Sequence, residues 1–583
     1  MSPQAETSRT IHAVSQNNAG PDDGQTPQEE ALPSDISFTT DIGTGPTESA
    51  SRPGLVIDPK DEDPNFGPKS PLTTARRVLV FLGISVTIFL SALDQTIVTT
   101  TLPAIATEFS DFTDIAWVGT AYLISTTAVQ PLYGITSNMF GRKRTMLFAC
   151  TVFLLGSTLC GSARSMLMLI ISRAVQGLGG SGIIALAYII TADIVPLRQR
   201  GGYQGAIAMV YALAGVLGPL LGGVFSDYAS WRWAFYINLP TGAVAVMMLV
   251  LFLHLQRPRG VPFWANVMSL DFSGIFFLVV SVTLILLGLN WGAVAKFAWN
   301  SSAVLSVLIV GLLSGILFLL NEWRCAKQPI IPLRLFGTWS LAATYVDVFL
   351  QGFIFLGLLF FLPMYYQAVH GASAVQSGIE LMPFVIAQSL VAVVVGMLMS
   401  RWGIYKEFTV AGFAVGTLAG GLMTLLDEST SKGILVVILT IAGVSQGLSV
   451  TSVLLGIHAQ VKNQKDIAFG TSLWTFLRTF GGVFGIAVGN AFLQSSLKRA
   501  GMESYARDIK AIVTLPEDLK RQVLRAFMRG LHEFFVLMAV LSGLGFLASL
   551  MINKVKLEPR KKQQDQDGET SGGKEIITPL GDL

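Results

Sequence analysis

Residues 78–106 read VLVFLGISVTIFLSALDQTIVTTTLPAIA, and Asp94 is the single ionisable residue among them. An α-helix rises about 1.5 Å per residue, so about twenty apolar residues cross a hydrocarbon layer roughly 30 Å thick. Inside that layer backbone polar groups must be satisfied without water, which leaves helices and closed barrels as spanning structures. The block is long and lacks period-two alternation, so it predicts a membrane-spanning helix.

The rest of the sequence repeats this pattern, and fourteen apolar blocks predict an all-α polytopic membrane protein. Apolar residues make up 51% of the 583 residues and charged residues only 13%, whereas a typical soluble domain has roughly 25% charged residues. The approximate limits of the blocks are 78–106, 115–137, 145–164, 166–192, 203–226, 233–254, 271–292, 301–321, 341–366, 378–400, 408–426, 433–456, 468–494 and 531–552.

Two polar tails flank the blocks. Residues 1–74 are rich in Pro, Gly, Ser, Thr, Asp and Glu and lack the apolar residues that would offset the entropy of ordering, so they predict a disordered tail. Residues 554–583 form a second polar tail. The stretch after Met1 does not resemble a cleavable signal peptide, so the first apolar block is expected to direct membrane insertion.

The positions of Lys and Arg predict the orientation in the membrane. The even-numbered loops carry fourteen of these residues and the other short loops carry four, which places both tails in the cytoplasm by the positive-inside rule. Loop 495–530 is basic yet must lie outside, and long loops are weak orientation signals. Its segment 516–535 predicts an amphipathic surface helix. Asn300, in an external loop, opens an Asn-Ser-Ser sequon and is a candidate for N-glycosylation.

Several classes of function receive no support from the sequence. The net charge of +3 is too small to indicate a nucleic-acid partner. The cysteines Cys150, Cys160 and Cys325 are scattered without CxxC spacing, so neither a disulfide framework nor a metal site is predicted. No cofactor motif, Walker loop, HExxH or GxSxG sequence is present, so no catalytic residues are predicted, and ATP-driven transport and a membrane-embedded enzyme are disfavoured.

Ionisable residues inside spans are costly and default to functional hypotheses. Helical rise places Asp94 of helix 1 roughly 22 Å from the cytoplasmic face and Arg173 of helix 4 roughly 20 Å from it. The two can pair if helices 1 and 4 face each other. A low-dielectric cavity strengthens proton binding by a carboxylate and a nearby cation opposes this. The pair therefore favours proton coupling over the alternative, a static ion pair that fixes helix packing.

Two further ionisable residues leave their roles open. Asp347 of helix 9 is either solvated near the inner mouth of a cavity or a contact for substrate. Arg478 of helix 13 is expected near the midplane, where a coupling or substrate role and a packing role are equally compatible with the sequence.

A run of small residues in helix 5 carries the spacing G-x-x-G-P-x-x-G-G, and its second half contains Gly218, Pro219, Gly222 and Gly223. Small residues let a neighbouring helix backbone approach closely, and the proline favours a bend. This spacing is more specific than a lone GxxxG, although ordinary tight packing accounts for part of it.

The second loop is short, bounded by glycines and basic, with Gly134, Gly141, Arg142 and Lys143 in the sequence GITSNMFGRKR. Clustered cations at helix ends can hold those ends by charge and dipole contacts. A positive-inside anchor is the simpler interpretation and is part of the same role.

These motifs resemble the major facilitator superfamily, and within it the fourteen-spanner drug:proton antiporter branch to which fungal toxin and multidrug efflux pumps belong. The second loop is similar to the family motif Gly-x-x-x-Asp-x-x-Gly-Arg-Lys, with Asn138 in place of the Asp. The resemblance extends over about residues 75–553 and is carried by LDQTIV from 93, the helix 5 segment 214–223, WRWAFYINLP at 231–240 and LPMYYQ at 362–367.

The resemblance implies roles for these residues. Arg173 and Gln176 match a helix 4 motif linked to proton transfer, which assigns proton coupling to Asp94 and Arg173. The second loop, with Asn138, is implied to gate the cytoplasmic side. The candidate substrate or coupling residues are Asp347, Arg478, Gln176, Tyr365 and Gln367.

The fold that the resemblance implies is two six-helix bundles, 75–260 and 336–553, with two extra central helices in 261–335, and alternating access to a central cavity. The implied function is secondary active, proton-coupled export of small, largely apolar organic compounds such as toxins, secondary metabolites or drugs. The expected partners are the substrate, protons and the lipid bilayer, for a monomer in the plasma membrane.

Two alternatives remain open at the level of sequence. Related fourteen-helix branches carry siderophores or basic amino acids, at the plasma or the vacuolar membrane. From another class, a transporter-like receptor would signal through its tails, which are short and poor in motifs.

Overall fold

A helix occupies each of the fourteen apolar blocks in the computed structural model, which describes residues 74–111, 114–255, 263–293, 297–326, 328–428, 430–461, 463–502 and 515–555. The two tails predicted at 1–74 and 554–583 lie almost entirely outside the described residues. We number the helices α1 Thr74–Phe109, α2 Ala116–Phe140, α3 Arg142–Gly161, α4 Met166–Ile194, α5 Leu197–Tyr228, α6 Trp233–Phe252, α7 Phe272–Ala293, α8 Ser302–Arg324, α9 Trp339–Val369, α10 Val375–Trp402, α11 Lys406–Met423, α12 Lys432–Gln460, α13 Gln464–Arg499 and α14 Glu517–Leu550.

Twelve helices among the described residues are long and apolar enough to cross a membrane. The other two of the fourteen are α2, which is rich in Ser and Thr, and α11, which begins with Lys406 and Glu407. Both pack along spanning helices, α2 on α4 and α11 on α12 and α14. The all-α polytopic fold predicted from block length is confirmed.

The helices pack as two bundles and a pair. In the first half α1 packs on α5 and α6, and α4 packs on α2 and α3; in the second half α9 packs on α13, α10 on α12, and α11 on α12 and α14. The halves meet through α5 with α10 and α2 with α13. Helices α7 and α8 pack on each other, and α7 also touches α2 and α13. The extra pair therefore lies beside one of the two junctions between the bundles.

Two spans are interrupted where the sequence predicted continuous helices. The first turn of α6, Trp233–Tyr236, is separated by Ile237 from Asn238–Phe252, and α10 restarts at Met382 after a short helix that ends at Glu380. A proline follows each break within three residues, at Pro240 and Pro383. Because proline lacks an amide hydrogen, it is favoured in the first turn of a helix, where that hydrogen has no partner within the helix.

The expected amphipathic surface helix at 516–535 is a misinterpretation of the sequence. This stretch is the first half of α14, which runs unbroken over Glu517–Leu550. Its apolar residues Val523, Phe527 and Leu531 are buried in the core of the second bundle. The amphipathic period arises because this helix packs against protein on one side only. A helix lying on a membrane surface would have the same period.

The small residues of α5 bring it against α1. A Cβ atom on Gly218 would lie 2.0 Å from Oγ1 of Thr96, and one on Gly222 would lie 2.5 Å from the carbonyl oxygen of Ile97. Thr96 also donates to the carbonyl of Ala214 at 3.1 Å. Gly223 differs, since nothing lies within 4 Å of its Cβ position. The predicted close approach therefore holds for Gly218 and Gly222 and not for Gly215 or Gly223.

Gly222→Ala is expected to destabilise the protein by about 1–3 kcal/mol, because the added methyl meets backbone that cannot move aside. Gly223→Ala is the matched control, and its effect is expected to be neutral or slightly stabilising because alanine favours a helix over glycine. The measurement is the thermal midpoint of each detergent-solubilised variant, and equal midpoints for the two variants would contradict the packing argument.

Candidate functional site: a buried ion pair between α1 and α4

An ion pair lies deep in the first bundle. Nη1 of Arg173 on α4 donates to Oδ2 of Asp94 on α1 at 2.5 Å, and the two side chains are 2% and 0% exposed. The pairing predicted from helix depth is present. Two charges removed from water are stable together only if the geometry is good and further hydrogen bonds satisfy their remaining atoms.

Three polar side chains supply those hydrogen bonds. Gln176, one turn along α4, donates to Oδ1 of Asp94 at 2.7 Å and accepts from Arg173 at 2.6 Å. Asn238 of α6 donates to the same Asp94 oxygen at 3.1 Å. Ser157 of α3 accepts from both amides, at 2.7 Å from Gln176 and 3.1 Å from Asn238. Four helices therefore meet at one carboxylate.

The guanidinium of Arg173 is confined on its other sides. Its Nε donates to the carbonyl of Val118 at 3.0 Å. Its Cζ lies 4.4 Å from the ring centre of Tyr122 and 5.7 Å from that of Phe235, so both rings offer cation–π contacts. The hydroxyl of Tyr122 is in turn 3.2 Å from Oγ of Ser91, one turn before Asp94 on α1. The pair is enclosed by protein, without solvent exposure in this state.

Two glycines allow the helices to close around the pair. A Cβ atom on Gly156 of α3 would lie 2.5 Å from Cα of Gln176. A Cβ atom on Gly177 of α4 would lie 2.5 Å from the carbonyl oxygen of Tyr122. Both contacts are with backbone atoms. A larger residue at Gly156 would therefore separate α3 from α4, and one at Gly177 would separate α4 from α2, at the level of the ion pair.

The second loop is a tight turn between α2 and α3. Gly141 has a φ of 89°, a conformation that favours glycine. Arg142, next in the chain, pairs with Asp193 of α4 at 2.8 Å and donates to Ser137 at 2.7 Å and to Oδ1 of Asn138 at 2.6 Å. The asparagine thus accepts a hydrogen bond from Arg142, and the charge partner of Arg142 is Asp193.

Asn138 also reaches the other bundle. Its Nδ2 donates to the carbonyl of Lys465, at the start of α13, at 3.1 Å. A Cβ atom on Gly134 would lie 2.3 Å from Oγ of Ser472, so α2 and α13 are in close contact one turn further in. Lys143 instead stays within the first bundle and donates to the carbonyl of Val250 at 2.7 Å. The second loop therefore touches both bundles.

A second contact between the bundles lies at the same end of the helices. Arg198 of α5 donates to the carbonyls of Ser400 and Arg401 of α10, at 2.8 and 2.9 Å. Beside it, a Cβ atom on Gly201 would lie 2.8 Å from the carbonyl oxygen of Gly396. In this state the bundles are in contact at the end that the Lys and Arg distribution predicts to be cytoplasmic. We call these two contacts the loop-end closure.

The other candidate substrate or coupling residues lie in the second bundle. Tyr365 donates to the carbonyl of Asp427 at 3.1 Å and Gln367 to Ser377 at 3.0 Å, so both fix the end of α9. The Arg478 guanidinium carbon lies 4.9 Å from the ring centre of Phe355. Asp347 is fully buried. These residues do not join the Asp94 cluster, and their roles stay predictions.

Asn300 lies on the exposed connection between α7 and α8, two residues before Ser302. Glycosylation of the Asn-Ser-Ser sequon requires an exposed asparagine, and Asn300 is exposed. Its glycosylation stays a prediction.

Sequence reasoning missed three members of the cluster. Asn238 is a polar residue within an apolar block, directly after the break in α6, and that position was a usable signal. Ser157 and Tyr122 carried none, because single serines and tyrosines are common in spanning helices and their partners come from distant parts of the chain.

A buried ion pair with further hydrogen bonds at the meeting point of several spanning helices, in a chain of two packed bundles, is the arrangement expected of a membrane transporter. The sequence model of the Major Facilitator Superfamily matches residues 84–486. The chain belongs to the major facilitator superfamily.

Curated relatives match over most of their length. The MFS-type efflux pump LUC4 of a Fusarium species is 35% identical, covering 85% of this chain and 91% of its own. The efflux pump FUS6 of Gibberella fujikuroi is 33% identical over 88% and 94%, and the efflux pump dotC of Dothistroma septosporum is 33% identical over 82% and 84%.

Solved structures share the fold at low identity. The proton:xylose symporter XylE superposes with a TM-score of 0.52 at 14% identity, covering 84% of this chain and 99% of its own. The human organic anion transporter MFSD10 gives a TM-score of 0.51 at 17% identity over 81% and 100%. These likenesses confirm the predicted major facilitator fold.

Arg173→Met is expected to destabilise the protein by about 3–5 kcal/mol, because it leaves the Asp94 carboxylate buried without its counter-ion. The double variant Asp94→Asn/Arg173→Met should recover most of that loss, since both charges are gone. The thermal midpoints of the wild-type protein, the two single variants and the double variant form a double-mutant cycle. A double variant no more stable than Arg173→Met would show that the two residues are not coupled.

Asn138→Asp is expected to weaken the loop-end closure, because a carboxylate cannot donate to the Lys465 carbonyl. The loss of one hydrogen bond of about 1 kcal/mol lowers the ratio of closed to open molecules roughly fivefold. Distances between spin labels on the ends of α2 and α13 report the shift, and Asn138→Gln, which keeps a donor, is the control. Unchanged distance distributions in Asn138→Asp would exclude this role.

Proposed function

We propose that this protein is a proton-coupled exporter of small, largely apolar organic compounds. The observation that carries the proposal is the Asp94–Arg173 pair, enclosed by four helices and bonded to Gln176. Charged side chains in spanning segments are expensive, and a chain that retains them uses them in ion or proton movement. Export as the direction is supported by the relatives, which are named efflux pumps.

The geometry suggests how a proton would be used. In the enclosed state Oδ2 of Asp94 accepts its hydrogen bond from Arg173. A proton on that oxygen would neutralise the carboxylate and leave the arginine without a counter-ion. The arginine would then have to find other partners or water, so α1 and α4 would favour a different arrangement. Proton binding is in this way coupled to helix position.

The loop-end closure supplies the other half of the cycle. It consists of a few hydrogen bonds and close glycine contacts at the end predicted to be cytoplasmic. Few contacts of about 1 kcal/mol each can be exchanged for a similar set at the opposite end. We infer that the protein alternates between these two arrangements as a monomer in the plasma membrane, taking up substrate from the cytoplasm and releasing it outside.

The substrate class follows from the composition of the spans. Among the described residues, few ionisable side chains lie near the middle of the spanning helices, whereas aromatic residues such as Phe349, Phe480 and Phe484 form ring contacts at the α9–α13 contact. Apolar and aromatic linings suit organic molecules of low charge. The relatives are named efflux pumps and come from fungi, which supports export as the direction of transport for such compounds.

Asp94→Asn is expected to abolish export driven by a pH gradient, because the amide cannot take up and release a proton, while the protein still reaches the membrane. Because the amide leaves Arg173 without its counter-ion, the amount of variant in the membrane and its thermal midpoint are measured alongside. Glu108→Gln is the matched control, since it removes a carboxylate from the same helix at a half-exposed surface ion pair with Arg232. Both variants are assayed in proteoliposomes with an imposed pH gradient and a fluorescent apolar substrate. Normal gradient-driven transport by Asp94→Asn would overturn the assignment.

A further inference from the structure

A second carboxylate lies in the core of the other bundle, and it has no partner. Asp347 of α9 is 0% exposed. Neither of its carboxylate oxygens has a hydrogen-bond partner among the residues that the structure describes. The contrast with Asp94 is direct, because the oxygens of Asp94 accept three hydrogen bonds and one comes from an arginine.

Asp347 belongs to a polar stripe on α9. Ser340, Thr344, Asp347 and Gln351 are spaced by four, three and four residues, so they lie on one face of the helix. Each of the other three has a partner on α12: Gln460 contacts Ser340 and donates to Thr344 at 3.2 Å, and Gln351 donates to the buried Gln446 at 2.9 Å. We call this set the α9 polar face. It runs inward from the end of α9 that is predicted to be cytoplasmic.

No ionisable residue on the described elements packed against α9 forms a hydrogen bond or an ion pair with Asp347. Arg478 of α13 lies against the rings of Phe355 and Trp474, about two turns of α9 beyond Asp347. Residues 534–550 of α14 contain no ionisable group. Five other groups have partners, in the pairs His458–Thr471, Asp466–Arg334, Glu380–Lys432, Glu533–Arg499 and His532–Leu426. Those left on α13 and α14 lie on the surface: Lys465, Lys498, Asp518, Arg521, Arg525 and Arg529 are exposed, and Lys520 pairs with Glu517.

The charge state of Asp347 follows from its surroundings. An ionised carboxylate that is buried without a counter-ion or hydrogen bonds loses its solvation with nothing in return, whereas the neutral acid loses far less. We propose that Asp347 is a second proton-binding site, occupied by a proton in this state, and that the α9 polar face connects it to the cytoplasmic end of the second bundle.

For transport, this inference rests on the proposed proton-coupled function and deepens it. The two carboxyl groups would be in different protonation states at the same time. Asp94 is an anion paired with arginine, and Asp347 is a neutral acid. When the loop-end closure opens, water can reach the α9 polar face, and Asp347 can release its proton to the cytoplasm. A full cycle then moves two protons, one for each bundle.

The occupancy of the site can be tested without transport. Infrared spectra of the purified full-length protein at neutral pH are expected to contain the carbonyl band of a protonated carboxylic acid that disappears in Asp347→Asn and persists in Asp94→Asn. The asparagine amide matches the shape of the neutral acid, so Asp347→Asn should fold, and its thermal midpoint verifies this. A protonated-acid band unchanged in a folded Asp347→Asn would overturn the proposal.

Coupling is tested by the ratio of protons to substrate in proteoliposomes, measured from the pH gradient that just balances a substrate gradient. Asp347→Asn is expected to lower the ratio to half of the wild-type value, and Glu108→Gln to leave it unchanged. A wild-type ratio in Asp347→Asn would refute the second site even if Asp94→Asn abolishes coupling. If Asp94→Asn still couples normally, the assignment of Asp94 as a proton carrier fails, while the infrared result decides on Asp347 separately; if the wild-type protein shows no coupling to a pH gradient, the proposed function fails.

Discussion

The Asp94–Arg173 ion pair is the interaction on which the first bundle depends. Charges in a dry interior are tolerated only when they meet each other and when their remaining hydrogen-bonding atoms are satisfied. That requirement brings α3 and α6 to the pair through Ser157 and Asn238, and it requires helices close enough to exclude water. The glycines of α3 and α4 meet that need. Electrostatics at one carboxylate thus explains why small residues cluster where they do.

The second bundle is organised differently. Its helices approach through the same device of small residues, as where a Cβ atom on Gly352 would lie 2.0 Å from the carbonyl oxygen of Arg478. Its polar interior, however, consists mainly of neutral amides and hydroxyls, with Gln351 bonded to Gln446, and its buried carboxyl group, Asp347, has no arginine partner. Two bundles with the same packing rules therefore enclose two different electrostatic environments, which is a natural basis for a division of roles between them.

The sequence predicted the helices well because block length is imposed by the thickness of the bilayer and leaves little freedom. It also predicted the Asp94–Arg173 pair, since each charge had a calculable depth and needed a partner. It did not predict that Asn238 joins the cluster, because this depends on which helices are neighbours. The breaks before Asn238 and Met382 were also missed, although Pro240 and Pro383 are local signals for them. The stretch 516–535 shows a further limit: an amphipathic period indicates two environments but does not tell a protein core from a membrane surface.

The hydrogen bonds of the loop-end closure share a chemical feature: their donors are side chains of the first bundle, and their acceptors are main-chain carbonyls of the second, at Lys465, Ser400 and Arg401. A carbonyl is present whatever side chain occupies the position. The strength of these hydrogen bonds is therefore encoded almost entirely in one half of the gene. Substitutions at the three acceptor positions can accumulate without loss of these bonds, whereas a single change at Asn138 or Arg198 alters one of the two contacts.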